Sequence, residues 1–166
     1  IQISNHILFC FYYLIHPVTN DSYNYLVFRP SLSLNIQYDK HSAMRLTASV
    51  NSSVPNIGDL TNSVVTIDEY FYTQGNTNLK PYYYYYTNLS YKYASENGKL
   101  YLAPSVSYSY YPNKNMPILF IEGDNVIQRM TSINNVHSLQ ASMSLSYTPV
   151  SWFAIQPFYN YEYSKY

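Results

Sequence analysis

The 166-residue chain contains few charged residues, which make up 11% of it and leave no formal net charge. Soluble domains carry about 25% charged residues, so we expect something other than water to cover part of this surface. Lys and Arg are too few, and too evenly balanced by Asp and Glu, to supply the clustered cations that nucleic-acid binding needs. The composition therefore excludes a nucleic-acid partner and favours a protein embedded in an apolar medium.

Long hydrophobic runs are also missing. The longest, Ile7–Ile15, is about half the ~18 residues that a membrane helix needs. It has no basic residues before it and no small-residue cleavage site after it, so we interpret it as a strand and not as a signal-peptide remnant. Because the chain starts at Ile1 without a methionine, we expect it to be a piece of a longer protein.

Cysteine is limited to Cys10, so neither a disulfide nor a cysteine metal site can form within the chain. We expect Cys10 to be a small apolar packing residue. The four histidines, His6, His16, His41 and His137, are scattered, with no partners at ligand spacing. We therefore expect no metal and no other cofactor.

Signatures of catalysis are missing as well. A Ser-His-Asp set could be assembled on paper from Ser138, His137 and Asp124, but no nucleophile-elbow sequence surrounds Ser138. No glycine loop suited to phosphate occurs either. We expect the protein not to be an enzyme.

The sequence does have strict alternation. In Ser138–Ser146, small polar residues alternate with apolar ones without exception. Successive side chains of a strand point to opposite faces, so this strand would have one polar face and one apolar face. Tyrosine, present 23 times, closes off the apolar sets in segment after segment. Lipid outside, a polar lumen and aromatic girdles are typical of a membrane-spanning β-barrel.

Turn signals divide the chain into about seven long strands. They are Ile7–Ile15, Tyr25–Tyr38, Met44–Asn51, Tyr82–Ala94, Leu100–Tyr111, Val136–Tyr147 and Trp152–Tyr163. Short turns are expected at Asp39–Ser42, Ser95–Gly98 and Thr148–Ser151, and long loops at Ser52–Lys80 and at Pro112–Asn135, the latter with a hairpin of its own at Gly123–Asn125.

Short periplasmic turns and long extracellular loops are the asymmetry of outer-membrane barrels. The sequence therefore predicts an all-β fold, an antiparallel transmembrane β-barrel segment. Residues 1–166 would form part of one outer-membrane barrel domain, with the plug domain and the remaining strands lying elsewhere.

Charges inside the predicted strands all fall on the polar face. A charge on the lipid face at the bilayer midplane costs ~2–4 kcal/mol, which explains this placement. The candidates for lining the lumen are Arg29, Arg45, Lys92, Gln140, Asn160 and Glu162.

Two features leave alternatives open. Pro30, Pro104 and Pro157 lie inside predicted strands, where each removes a ladder donor, so we expect bulges or strand ends there. The five tyrosines Tyr82–Tyr86 would split between the two faces, and they suit either an interfacial girdle or a platform on which a ligand stacks.

The segment Gly75–Pro81, followed by Asn88–Tyr91, resembles the "GNPxLKPE…N…SY" signature of TonB-dependent outer-membrane receptors, particularly the Bacteroidetes outer-membrane β-barrel families. Thr77 and Tyr82 stand where that signature has proline and glutamate. The resemblance extends over roughly Tyr25–Tyr163.

In that family a barrel surrounds an N-terminal plug, and a periplasmic energy-coupling protein drives uptake of siderophores, cobalamin, glycans or peptides. The resemblance implies that this chain is a C-terminal barrel fragment of such a receptor, in the outer membrane of a Gram-negative bacterium of the Bacteroidetes. It also implies three partners: outer-membrane lipid, the rest of the barrel with its plug, and a TonB-type coupling protein that acts through the missing N-terminal part.

Two other functions fit the pattern less well. One is a complete small barrel of about eight strands that acts as an adhesin or structural protein, for which a signal peptide should directly precede Ile1. The other is a secreted, tyrosine-rich β-sandwich that binds glycans, which should be soluble without detergent.

Overall fold

A computed structural model describes the backbone of residues 2–18 and 21–166 and the side chains of residues 2–4, 28–56 and 58–166. The role predicted for Cys10 concerns a side chain outside these ranges. The elements are β1 (Gln2–Val18), β2 (Asp21–Gln37), β3 (Ser42–Ser53), a 3₁₀ turn (Ile57–Leu60), β4 (Val64–Asp68), β5 (Phe71–Gln74), β6 (Tyr82–Ala94), β7 (Leu100–Glu122), β8 (Asn125–Val150), β9 (Phe153–Ile155) and β10 (Phe158–Lys165). In the described part of the chain no helix is long and apolar enough to cross a bilayer, a result that does not bear on crossing by strands.

All ten strands belong to one sheet, in the order β1-β2-β3-β6-β7-β8, with β9 and β10 both following on β8. These neighbours pair antiparallel. If β9 and β10 are counted as one interrupted strand, the wall has the seven strands that the sequence predicts. The all-β, antiparallel prediction is confirmed, and a single sheet is incompatible with a β-sandwich.

The three short turns lie together at one end of the sheet. The amide of Ala94 donates to the carbonyl of His41, and the amide of Thr148 donates to the carbonyl of Lys99, each at 2.8 Å. The Lys99 ammonium also donates to the carbonyl of Pro149, at 3.0 Å. Adjacent hairpins are thereby fastened to one another, and the longer connections lie at the opposite end.

The prediction of a long loop at Pro112–Asn135 is wrong, but the hairpin predicted within it at Gly123–Asn125 is confirmed. β7 and β8 continue through it as a paired hairpin as far as Glu122 opposite Asn125, and the turn at Gly123, with a left-handed φ of +65°, closes the hairpin. The pairing skips one position, between Tyr111 opposite Val136 and Asn113 opposite Asn134, where Asn135 has a left-handed φ of +58°. The polar and proline-rich composition hid these strands, because a hairpin without an apolar face loses the alternation by which a strand is recognised.

The three prolines lie at interruptions of the pairing, as the sequence predicts. Pro104 pairs with Met143 of β8, but the β6–β7 ladder breaks beside it, between Ser90 opposite Ser105 and Tyr93 opposite Leu102. Pro157 separates β9 from β10. Pro30 lies within β2, but the β2–β3 ladder ends beside it, at Ser31 opposite Ser49.

Candidate functional site

Cross-strand register gives the sheet two chemically different faces, because directly opposite residues share a face. We call one the polar face, and it holds all six residues predicted to line the lumen. Among strands β2, β3 and β6, Asn35 lies opposite Arg45, and Arg45 lies opposite Ser90. Lys92 is two residues further along β6 and therefore shares this face. Among strands β7, β8 and β10, Ser107 lies opposite Gln140, and Gln140 lies opposite Glu162. Ser105 and Asn160 both lie opposite Ser142. Alternation along β2 places Arg29 on the same face, although its guanidinium bonds Ser52, which lies opposite Tyr83 on the other face. We call the opposite side the apolar face, and it includes Leu46, Leu89, Val106 and Met143.

A depression of about 700 Å³ lies on the polar face toward the short turns. Arg45 and Lys92 contribute cations to its wall, beside amides and hydroxyls such as Asn35, Asn88 and Ser90. The Arg45 guanidinium donates from Nε to the Oδ1 of Asn35, which holds it across the β2–β3 pair. No carboxylate is among the described residues that line this depression, so it suits an anionic or polar occupant.

Arg29 has a more specific contact than the sequence reveals. Its Nε donates to the Oγ of Ser52, and its Nη2 donates to the carbonyl of Ser52, both at 2.9 Å. The β2–β3 pairing ends just below, at Ser31 opposite Ser49. Arg29 therefore fastens β2 to β3 at the level where their backbone pairing has stopped.

Gln140, Asn160 and Glu162 form a separate group on β8 and β10. The Nε2 of Gln140 donates to the Oδ1 of Asn160 at 3.1 Å, and Glu162 lies directly opposite Gln140. The structure thus divides the six residues into a cationic set on β2, β3 and β6 and an acid-and-amide set on β8 and β10.

Tyrosines from two strands meet on the polar face. The rings of Tyr84 and Tyr111 stack with centroids 4.9 Å apart, and Tyr82 lies 6.3 Å from Tyr111. The Lys114 ammonium lies 4.6 Å from the centre of the Tyr111 ring, within the range of a cation–π contact. The predicted division of Tyr82–Tyr86 between the two faces is confirmed, since register places Tyr83 and Tyr85 on the apolar face.

The segment between β3 and β6 is folded, although the sequence predicts only a long loop there. Its strand β5 pairs in parallel with the first residues of β8, from Phe71 opposite Val126 to Gln74 opposite Arg129. Arg129 donates from both Nε and Nη2 to the Oε1 of Gln74. The segment therefore extends across to the far edge of the β7–β8 hairpin, at the end of the sheet opposite the short turns.

Gly75 is the point of closest approach within this segment. A Cβ at this position would lie 1.9 Å from the carbonyl oxygen of Thr61 and 2.9 Å from that of Asp59. Both oxygens belong to backbone, so no flexible side chain could make room. Only glycine fits here, which gives a physical reason for the first residue of the Gly75–Pro81 motif.

Asn76 then ties three pieces of chain together. Its backbone amide donates to the carbonyl of Asp59 at 2.6 Å, and its side-chain amide donates to the carbonyl of Met130 at 3.0 Å. Its Oδ1 accepts from the amide of Asn78 at 3.0 Å. Beside it, Leu79 is 4% exposed, so this short segment has a small apolar core.

Among the described side chains, His41 and His137 lie far apart, and Ser138, His137 and Asp124 do not come together. Ser138 and His137 are adjacent on β8 and so lie on opposite faces, while Asp124 is in the turn at the far end of the hairpin. Across the described side chains, no group of three or more His, Cys, Asp or Glu residues could hold a metal. His6 and His16 have side chains outside the described ranges.

The sequence analysis did not identify the Arg129–Gln74 contact or the tyrosine cluster around Tyr111. The parallel β5–β8 pairing has no sequence signal, because it joins segments 55 residues apart through a connection that looks like loop. The spacing of Tyr82, Tyr84 and Tyr86 does place them on one face, and that signal could have drawn attention to Tyr111 on the neighbouring strand.

Comparison with known proteins gives a consistent assignment. A family model described as "Outer membrane protein beta-barrel family" matches residues 12–166. No curated protein matches the chain in sequence.

Among solved structures, the chain is similar to two mutant forms of the ferric enterobactin receptor of Pseudomonas aeruginosa. One match has a TM-score of 0.60 at 15% identity over 82% of this chain, and the other a TM-score of 0.57 at 16% identity over 81%. Each covers 22% of the receptor chain, so this chain spans about a fifth of its length. At this identity the likeness establishes the fold.

Proposed function

We propose that this chain, which belongs to the outer membrane protein beta-barrel family, builds one sector of the wall of an energy-coupled nutrient receptor. The family and the fold place the chain in the cell outer membrane. The full-length receptor would contain a plug, and a TonB-type coupling protein in the periplasm would drive ligand uptake through it. It assigns the chain no catalytic step.

The two-faced sheet is the observation that carries the proposal. In an outer-membrane barrel the apolar face meets lipid and the polar face meets the lumen. Arg29, Arg45, Lys92, Gln140, Asn160 and Glu162 would then line the lumen. The cationic depression containing Arg45 and Lys92 would lie toward the periplasm, where a plug would occupy the barrel.

The height of the apolar face supports a membrane span. On β8 the apolar face runs from His137 to Tyr147, and ten steps of about 3.4 Å along a strand tilted by about 40° rise about 26 Å. The apolar band of such barrels is about 25 Å tall. From Tyr110 to Glu122, β7 would therefore extend about 30 Å beyond the band.

The folded segment around Asn76 supports a role at the external mouth. It lies at the end of the sheet opposite the short turns and is fastened to the β7–β8 hairpin through Met130. A fixed segment at this position could hold the outer loops in place for ligand capture. The Tyr84–Tyr111 pair with Lys114 lies on the polar face of the strands that lead to it, and such a surface could stack a planar or sugar ligand.

A cell-based uptake assay tests the proposal. Cells with and without the full-length gene would receive a ⁵⁵Fe-labelled siderophore, labelled cobalamin, an oligosaccharide and a peptide, with and without a protonophore. We expect gene-dependent uptake of one probe that the protonophore abolishes. Uptake that persists without energy would contradict the proposal, as would loss of cell adhesion with no change in any uptake, which the small-barrel alternative predicts.

A further inference from the structure

A row of five residues crosses the apolar face at the end of its band nearest the long hairpin. Register aligns Val50, Tyr85, Tyr110, His137 and Lys165 across β3, β6, β7, β8 and β10. The row begins with an apolar side chain, continues through aromatic rings and ends with an imidazole and an ammonium group. The residues two positions toward the band centre, such as Leu139, are mostly apolar or aromatic.

His137 is packed among tyrosines of the apolar face. Its ring stacks on Tyr110 with centroids 4.9 Å apart, and Tyr110 stacks on Tyr85 at 6.1 Å. The hydroxyl of Tyr108 lies 2.7 Å from Nδ1 of His137. When that hydroxyl donates, the ring proton is on Nε2, which becomes an N–H donor for another molecule.

Lys165 lies directly opposite His137 on β10, and its side chain is exposed. Directly opposite residues have Cβ atoms about 4.5–5.5 Å apart. An ammonium group and an imidazole therefore lie side by side on a face that meets lipid. An anion at the membrane surface would offset the cost of placing a cation there.

An apolar groove of about 360 Å³ reaches the other end of the same row. Its floor includes the small residues Ala48 and Thr87, and Leu32, Val50 and Tyr85 are taller side chains around them. Its shape and chemistry suit an acyl chain that runs along the wall. Neighbouring strands are about 4.8 Å apart, so Ala48 on β3 and His137 on β8, three strand spacings apart, are separated by roughly 14 Å across the sheet.

We propose that this row and groove bind a phosphorylated, multi-acyl glycolipid of the outer leaflet, the lipid anchor of lipopolysaccharide. The phosphate contacts His137 and Lys165, and one acyl chain fills the groove at Ala48. The row lies on the side of the long hairpin, which is the outer-leaflet side in this family's orientation. This separation of about 14 Å favours a wide lipid with several chains over a narrow two-chain phospholipid. The inference rests on the lipid-facing assignment and is independent of nutrient uptake.

Lipid retention by the full-length protein tests the proposal. After purification from outer membranes in mild detergent, native mass spectrometry would count bound glycolipid on the wild type and on the double variant His137→Gln with Lys165→Gln. Lys40→Gln is the matched control, because it removes one cation from an exposed short turn at the other end of the sheet. We expect the double variant to retain bound glycolipid at least tenfold more weakly than the wild type, and the control to retain it as the wild type does.

Three delipidated samples would then receive the phosphorylated glycolipid, its dephosphorylated form or phosphatidylglycerol. Only the first should bind tightly. Equal binding of the dephosphorylated form, or tighter binding of phosphatidylglycerol, would overturn the proposal, as would equal retention by the wild type and the double variant.

A second variant keeps the test decisive if the double variant folds poorly. Ala48→Leu fills the groove from the lipid side and leaves His137 and Lys165 unchanged. Heat-modifiable gel mobility would confirm its folding. Reduced glycolipid retention by this variant supports the acyl-chain site, and unchanged retention overturns it.

Discussion

The side-chain amide of Asn76 donates a hydrogen bond to the carbonyl of Met130, 54 residues further along the chain. This contact joins the segment between β3 and β6 to the β7–β8 hairpin. Through its backbone amide the same residue also contacts Asp59. The motif that resembles a receptor signature is therefore a structural junction at one end of the barrel wall.

Replacing Asn76 by alanine should loosen this junction. Asn76→Ala removes the bond to Met130 and leaves a part-buried carbonyl without its partner, a loss of about 1–3 kcal/mol in local stability. Hydrogen–deuterium exchange in residues 74–80 and 126–130 should accelerate. Asn78→Ala is the matched control, because that side chain is exposed and only its backbone amide contacts Asn76. Equal acceleration in both variants would contradict the role given to Asn76.

Gly75 should tolerate no side chain. Gly75→Ala places a methyl group against the carbonyl of Thr61, and overpacking of this kind costs about 1–3 kcal/mol. Limited proteolysis should then cut the segment 54–81 faster than in the wild type. At Gly58 a Cβ would meet nothing within 4 Å, so Gly58→Ala should leave the cleavage rate unchanged.

Most of the wall could be predicted from the sequence, because each strand in the bilayer must alternate polar and apolar residues. Tyr82–Ala94 has the predicted bounds of β6. Beyond the bilayer this constraint ends, and so the extension of β7 past Tyr111 was missed. Pairings that join distant segments, such as Gln74 with Arg129, leave no periodic signal in either segment.

The turn between β2 and β3 should respond to acid. Oδ1 of Asp39 accepts from the amides of His41 and Ser42, each at 2.7 Å, and from the hydroxyl of Ser42 at 2.9 Å. These bonds, the amide of His41 first, hold the pKa of Asp39 below its usual value. Since the pKa is lower in the folded state, the stabilisation is complete above about pH 3.9 and is lost as the pH falls through the folded-state pKa.

Carbon-detected NMR of the protein in micelles would check this. The Asp39 carboxyl should titrate with a midpoint below about 3.9, and the amide signals of His41 and Ser42 should shift with it. Asp39→Asn keeps an oxygen acceptor and should abolish that transition. A midpoint at or above the ordinary value would show that these bonds do not favour the carboxylate.

The two ends of the sheet should be accessible from opposite sides of the outer membrane. In a Cys10→Ser background, a membrane-impermeant maleimide added to intact cells should label Asp124→Cys, at the tip of the β7–β8 hairpin. It should label Asn97→Cys only after the outer membrane is permeabilised. Labelling of Asn97→Cys in intact cells would invert the orientation.

The central claim is that one face of this sheet meets lipid and the other does not, and adjacent residues in the middle of β7 test it most directly. Val106 lies on the apolar face opposite Leu89 and Ala141, and Ser107 lies on the polar face opposite Asn88 and Gln140. Because the two are neighbours, their depth in the bilayer is nearly the same.

The decisive measurement is the free energy of unfolding of the full-length protein in lipid bilayers, with Val106→Arg compared against Ser107→Arg. We expect Val106→Arg to destabilise by ~2–4 kcal/mol, because lipid cannot solvate the charge near the midplane. Ser107→Arg should cost much less, since water in the lumen can hydrate the new guanidinium. Equal costs, or a larger cost at Ser107, would contradict the assignment of the two faces.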